Sequence, residues 1–146
     1  MSELLVLAEI AGRSCAFRAA DVQSVIDIGE VTPVPRSPDF VVGLAALRSQ
    51  VLTVIDCRSA IGQDQAGLAT DSRAAVVRVD GHSYALRVDM VDDIASALSD
   101  PGAVPGGFGE GWNRVGYGMV ETDRGPALLL NVAELIAGPP EARAAA

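Results

Sequence analysis

Residues 33–58 constrain the fold more than any other part of the chain. Prolines at 33, 35 and 38 fix φ and remove backbone donors, so this segment is extended and cannot be a central strand. Phe40-Val41-Val42-Gly43-Leu44 then resumes a strand, Leu47-Arg48-Ser49-Gln50 turns it, and Val51-Leu52-Thr53-Val54-Ile55-Asp56 returns it. A stiff connection, a strand, a tight turn carrying an arginine and a second strand describe a binding scaffold, not a catalytic constellation.

The rest of the chain repeats this vocabulary. Leu4-Leu5-Val6-Leu7-Ala8-Glu9-Ile10 and Ser14-Cys15-Ala16-Phe17-Arg18 form a hairpin over Ala11-Gly12-Arg13. Asp21 has the position of a helix N-cap for Val22-Gln23-Ser24-Val25-Ile26, whose Val22, Val25 and Ile26 share one face at spacings of three and four. Residues 58–62 read as a short helix ending on Gly62. Residues 63–72 are small and polar, the best candidate for a lobe boundary. Asp80-Gly81 between two apolar runs is a hairpin signal. Asp89-Met90-Val91-Asp92-Asp93-Ile94 follows, with Val91 and Ile94 on one side. Residues 100–118 read as irregular loop, and a last hairpin turns over Asp123-Arg124-Gly125. A terminal helix over 132–137 stops at Gly138-Pro139-Pro140.

Composition removes several function classes. The net charge of −8 argues against a phosphate-backbone binder and against docking on anionic lipid. All eleven basic residues are arginine, so a Schiff-base lysine and a Walker-type phosphate loop are excluded. His82, beside Asp80-Gly81, reads as an exposed turn residue. Cys15 and Cys57 have no CxxC or Cys/His neighbours; they read as small buried hydrophobes, with no metal site and no cofactor expected. Gly107-Phe108-Gly109-Glu110-Gly111 is not a dinucleotide fingerprint. Met1-Ser2-Glu3 lacks a basic region and residues 4–7 are too short for a signal peptide, and no apolar run approaches the ~20 residues needed to cross a bilayer. A soluble cytoplasmic protein is the expectation.

Many short strands, hairpin turns and only short helices indicate an all-β sandwich or barrel. The two halves also echo one another. Each has a hairpin, a Val-x-x-Val/Ile segment (Val22 to Val25, Val91 to Ile94), a Pro/Gly-containing connection, a second hairpin and a short helix. Ile55-Asp56-Cys57-Arg58-Ser59-Ala60-Ile61 parallels Leu130-Asn131-Val132-Ala133-Glu134-Leu135-Ile136. The echo predicts two similar small barrels packed side by side.

Three blocks then carry a resemblance to the CheW family of bacterial chemotaxis adaptors, which includes the regulatory domain of the histidine kinase CheA. The first runs over residues 34–43 with Leu47-Arg48 and 51–56, the second over 86–94, the third over 128–136. The resemblance covers about residues 4–137. It implies one domain over 1–146, all-β, with two SH3-like five-stranded barrels side by side and short connecting and C-terminal helices. Lobe 1 is expected over about 12–65 plus the helix 132–138, and lobe 2 over about 66–131 plus the strand 4–10. It also implies a non-catalytic adaptor, without cofactor, bridging a CheA-type kinase regulatory domain and the cytoplasmic tip of methyl-accepting chemoreceptors, and meeting other CheW-like proteins in cytoplasmic arrays. By family position, Val22, Val25, Val91 and Ile94 are the expected receptor-binding residues, and Gly43, Leu47 and Arg48 the kinase-binding ones. Arg48 has a rival role as an intramolecular partner of Asp56, and Gly43 one as a close backbone approach within a strand. The family's Asn-Leu-Arg-Gly turn is here Ala46-Leu47-Arg48-Ser49, which places an expected strain of about 1–2 kcal/mol on Ser49 if φ is positive there. Two alternatives stand beside the adaptor. One is a CheW-like scaffold of a non-chemotactic pathway. The other is an enzyme or small-molecule-binding β-barrel with Asp89, Asp92 and Asp93 as its acidic site.

Overall fold

A computed structural model describes residues 3–63, 73–103 and 109–139. The elements are β1 (Leu4–Ile10), β2 (Arg13–Arg18), β3 (Val22–Asp27), β4 (Val41–Leu47), β5 (Gln50–Asp56), α1 (Cys57–Ala60), β6 (Arg73–Val79), β7 (His82–Arg87), β8 (Met90–Ser96), α2 (Glu110–Val115), β9 (Gly116–Thr122), β10 (Gly125–Leu130) and α3 (Val132–Ala137). They build two five-stranded sheets of order β8-β1-β2-β10-β9 and β3-β6-β7-β5-β4. Each curls into a barrel. The first is completed by a bridge from Ala97 to Thr122, the second by one from Thr32 to Leu44.

The two orders are the same order. β1 and β2 in one barrel take the places of β6 and β7 in the other, and β8, β9 and β10 take those of β3, β4 and β5. The corresponding irregularities recur: β1–β8 slips between Val6 and Ala8, β3–β6 between Val22 and Ser24. Each barrel holds one parallel pairing, β2 with β10 and β5 with β7. The matching hairpins turn on Ala11-Gly12 (φ 52 and 78) and Asp80-Gly81 (φ 52 and 81), two-residue loops with both φ positive as the right-handed strand twist demands.

The strand membership departs from the expected lobes. β2 belongs with β1, and β6 and β7 belong with β3, β4 and β5. Each half of the chain gives its first hairpin to one barrel and its other three strands to the other. The expected boundary at 65–66 lies outside the described residues. The echo between halves is therefore real, but each barrel is shared between them.

Alternation along the strands explains the apolar runs. In β1, Leu5 and Leu7 fill the first barrel, while Val6, Ala8 and Ile10 face the seam between barrels. In β6, Ala74 and Val76 fill the second barrel, while Ala75 and Val77 face the seam. β5 and β10 do the same, Leu52 and Val54 against Ile55, Ala127 and Leu129 against Leu128 and Leu130. A strand buried on both faces reads as a continuous hydrophobic run. The seam is a third core, joined by Phe17, Leu86, Trp112 and Leu135.

Two local expectations need correction. Val22–Asp27 is a strand, not a helix after Asp21; a 3-10 turn at Ala19–Asp21 precedes it, and pairing with β6 absorbs its β-branched residues. Val91 and Ile94 lie in strand β8, where the register slip pairs them with Ala8 and Val6, so both stay on the seam side as expected, one buried and one exposed. Residues 100–118, expected as loop, contain helix α2 and the start of β9; residues 104–108 lie outside the described residues. The prolines keep residues 33–39 out of the strands as expected, but the connection turns rather than running extended. Pro35 and Arg36 (φ 65) are the central residues of a turn closed by Ser37 N–H donating to Val34 O at 3.3 Å, a type II geometry.

Candidate partner-binding faces

The four expected receptor residues fall on β3 and β8, which occupy corresponding places in the two barrels. Val22 is half-buried against the seam core and lies opposite Val77; its counterpart Val91 is buried within that core, opposite Ala8. Val25 and Ile94 point outward, 40% and 57% exposed. The structure thus splits the set into two seam residues and two surface residues. The strands are linked across the seam through β6: β3 pairs with β6, β6 touches β8, and Arg73 Nη2 donates to Val91 O at 2.9 Å.

Gly43, Leu47 and Arg48 fall on β4 and its turn. Gly43 is buried with φ at 152, and a Cβ there would sit 2.2 Å from Thr32 O. The closing bridge explains the approach, with Thr32 N–H donating to Leu44 O at 2.8 Å and Leu44 N–H to Thr32 O at 2.9 Å. Leu47 is half-buried against the second barrel's interior. Arg48 is exposed and has no ion-pair partner among the described residues. Its expected bridge to Asp56 is not formed: Arg48 is in the turn before β5 and Asp56 at that strand's far end. The expected strain is also relocated. Arg48, with φ at 55, takes the left-handed position, and Ser49 does not.

The sequence reading missed the outer face of this hairpin. The register Leu44↔Thr53 and Ala46↔Val51 puts these four residues on one face. Leu44, Ala46 and Val51 are exposed, Val51 at 63%. The face carries no charge on a molecule of net charge −8. The signal was present: with Leu52 and Val54 facing in, Val51 is an apolar residue at an outward position.

The polar groups are structural. Asp89 Oδ2 accepts from Arg58 Nη1 at 3.0 Å and from Ala11 N–H at 2.9 Å, tying the β1–β2 turn to α1. Asp93 pairs with Arg124 at 2.8 Å near the surface. These carboxylates do not converge on one acidic site, and among the described residues no cluster of three His, Cys, Asp or Glu could hold a metal. Asp56 is 5% exposed and caps no helix N–H with its side chain. Burial raises its carboxyl above the ordinary range, against the attraction of Arg87. Cys15 and Cys57 are free thiols in the seam core. Burial pushes Cys15 up to about 12 and Cys57 well above the ordinary thiol value, so both behave as inert hydrophobes. His82 is exposed at the start of β7. A cleft of about 650 Å³ lies between Arg18, Leu98 and Tyr117. Its cation is already held by both Glu3 carboxylate oxygens at 3.0 and 3.2 Å and by the Tyr117 ring at 5.1 Å.

Helices α1, α2 and α3 meet at one end of the seam. Gly111 lets α2 approach α1, since a Cβ there would overlap Ile61 O. Arg114 donates to Glu134 O at 2.7 Å and to Ala60 O, joining all three. Trp112 is buried between them and the seam, under the Arg13 guanidinium at 5.1 Å.

Comparison with known proteins agrees with this architecture. Among solved structures, the scaffolding protein TtCheW from Thermoanaerobacter tengcongensis superposes with a TM-score of 0.77 at 24% identity, covering 90% of each chain, and so has the same fold. No curated protein matches the chain. The model of the CheW-like domain matches residues 4–139, from the first strand of one barrel to the helix that closes the seam; the chain belongs to the CheW-like domain family.

Proposed function

We propose that this chain is a non-catalytic coupling protein of a chemotaxis array, holding chemoreceptor tips and a CheA-type kinase together in the cytoplasm. The observation that carries the reading is the family match across both barrels. The surface is consistent with it. The chain presents uncharged apolar residues on outward strand positions, and coupling needs surfaces, not perturbed ionisable groups. Among the described residues no helix is long and apolar enough to cross a membrane.

In this reading Val25 and Ile94 are the direct receptor contacts, and Val22 and Val91 set the spacing beneath them. An amphipathic receptor helix laid along the seam would reach one apolar residue from each barrel. On the kinase side, Arg48 and the outer face of β4–β5 make contact, with Leu47 behind them and Gly43 fixing the path of β4. Other CheW-like proteins present comparable barrels and are further candidates for that face.

The test is retention of the purified chain on an immobilised kinase regulatory domain and, separately, on a receptor-tip peptide. Coupling requires retention on both. Retention on the kinase domain alone favours a scaffold in a non-chemotactic pathway. Retention on neither removes both.

A further inference from the structure

Among the described residues, the hairpin pairings β1–β2, β4–β5, β6–β7 and β9–β10 lie within a half. The other four, β1–β8, β2–β10, β3–β6 and β5–β7, all join one half to the other. Residues 3–63 alone therefore hold two hairpins and a strand joined only through the Thr32–Leu44 bridge, and the described residues of 73–139 hold two hairpins and a strand joined only through the Ala97–Thr122 and Gly102–Met119 bridges. Isolated hairpins are marginal in water. The seam core is likewise mixed, with Ile10, Phe17 and Ile55 from one half against Leu86, Leu128 and Leu135 from the other. Each half supplies what the other needs in order to fold. No contact among the described residues requires that the two belong to the same chain.

We propose that the halves are exchangeable modules and that a second copy of this chain is a binding partner. The first half of each copy closes its barrels with the second half of the other, giving a two-chain particle with two complete double barrels and two sets of outer faces. Every contact among the described residues is the same in the closed and exchanged forms, so concentration sets the balance. A covalently linked half is present at an effective concentration on the order of millimolar, so dilute chains fold closed and concentrated ones exchange. Exchange breaks four strand pairings at once and therefore occurs during folding, not from the native state.

The test uses full-length chains bearing two different affinity tags, each with a protease recognition sequence inserted between Gln63 and Arg73. The two are unfolded together and refolded at about 10 μM and about 1 mM, either side of the expected effective concentration. The proposal expects, at the higher concentration, a species of doubled mass that carries both tags and has the monomer's far-UV circular dichroism. Cutting the inserted sequence then returns it to particles of monomer mass, each holding one first-half and one second-half fragment. A dimer formed between outer faces would keep its doubled mass after cutting, and a chain monomeric at both concentrations does not exchange; either result overturns the proposal. Tagged chains without the insertion, refolded in parallel, guard against an insertion that blocks folding: absence of a mixed-tag dimer there also overturns it.

Discussion

Asp56 ends β5 in register with Arg87, buried at 5% exposure, with Oδ2 lacking a hydrogen bond among the described residues. Its counterpart in the second half, Asn131, accepts from Glu134 N–H and caps α3. A neutral amide does this work without the desolvation penalty of a charge. Because the native carboxyl is raised above its unfolded value of about 3.9, the native state binds the proton more tightly. Stability is then undiminished below the unfolded value, falls as pH rises toward the native one, and stays reduced above it. Asp56→Asn removes this loss. Urea midpoints of parent and variant should diverge in the variant's favour as pH rises above the unfolded value, other carboxylates cancelling in the difference; parallel curves would count against a strained Asp56. Gly43 makes an opposite demand. With φ at 152 and Thr32 O 2.2 Å from any Cβ, Gly43→Ala should cost about 3 kcal/mol or more of unfolding free energy. Arg48 sits at φ 55, a conformation that costs a side chain about 1–2 kcal/mol and glycine nothing, offset by glycine's unfolded-state entropy. Arg48→Gly should thus leave stability within about 1 kcal/mol while reducing kinase retention. Unchanged retention would take Arg48 out of the contact.

At the scale of elements, β3 and β8 show how far spacing alone can be read. Val22-x-x-Val25-Ile26 fits a helical face, yet the same residues fit a strand whose register slips between Val22 and Ser24. Nothing local decides; pairing with β6 does. Helix α2 was hidden for the converse reason, since Gly111 lowers helix propensity and is required only by the approach to Ile61 O, a tertiary fact. The outer strands make the functional reading testable. Val25→Glu and Ile94→Glu place a carboxylate where the side chain already meets water, 40% and 57% exposed. Both variants should keep the native circular dichroism and lose receptor-tip retention, and the double variant should lose it completely. Val91→Glu buries a charge in the seam and should cost about 3 kcal/mol or more, enough to unfold a marginal domain. If Val25→Glu and Ile94→Glu retained the receptor tip as the parent does, the seam would not be its binding site.

For the molecule as a whole, the strands, their hairpins and the echo between halves were legible because each has a local signature, such as Asp80-Gly81 between apolar runs. The exchange of hairpins was not. A repeat in sequence says that two units resemble one another, and leaves open whether each closes on itself. That choice is made by β1–β8, β2–β10, β3–β6 and β5–β7, pairings that no local pattern encodes. Its energetic consequence is cooperativity. Neither barrel can lose its strands without dismantling the other, and the seam core draws on both. The two barrels should therefore unfold together. Trp112, the one tryptophan, is buried in the seam and reports on it, whereas far-UV circular dichroism reports on the strands of both barrels. The two signals should give coincident urea transitions with one midpoint and one slope. Separate transitions would mean that one barrel stands alone, which the reciprocal pairing does not permit. Weakening the seam should lower both signals together: Leu135→Ala, at a fully buried position, should shift both midpoints equally and remove about 2–5 kcal/mol.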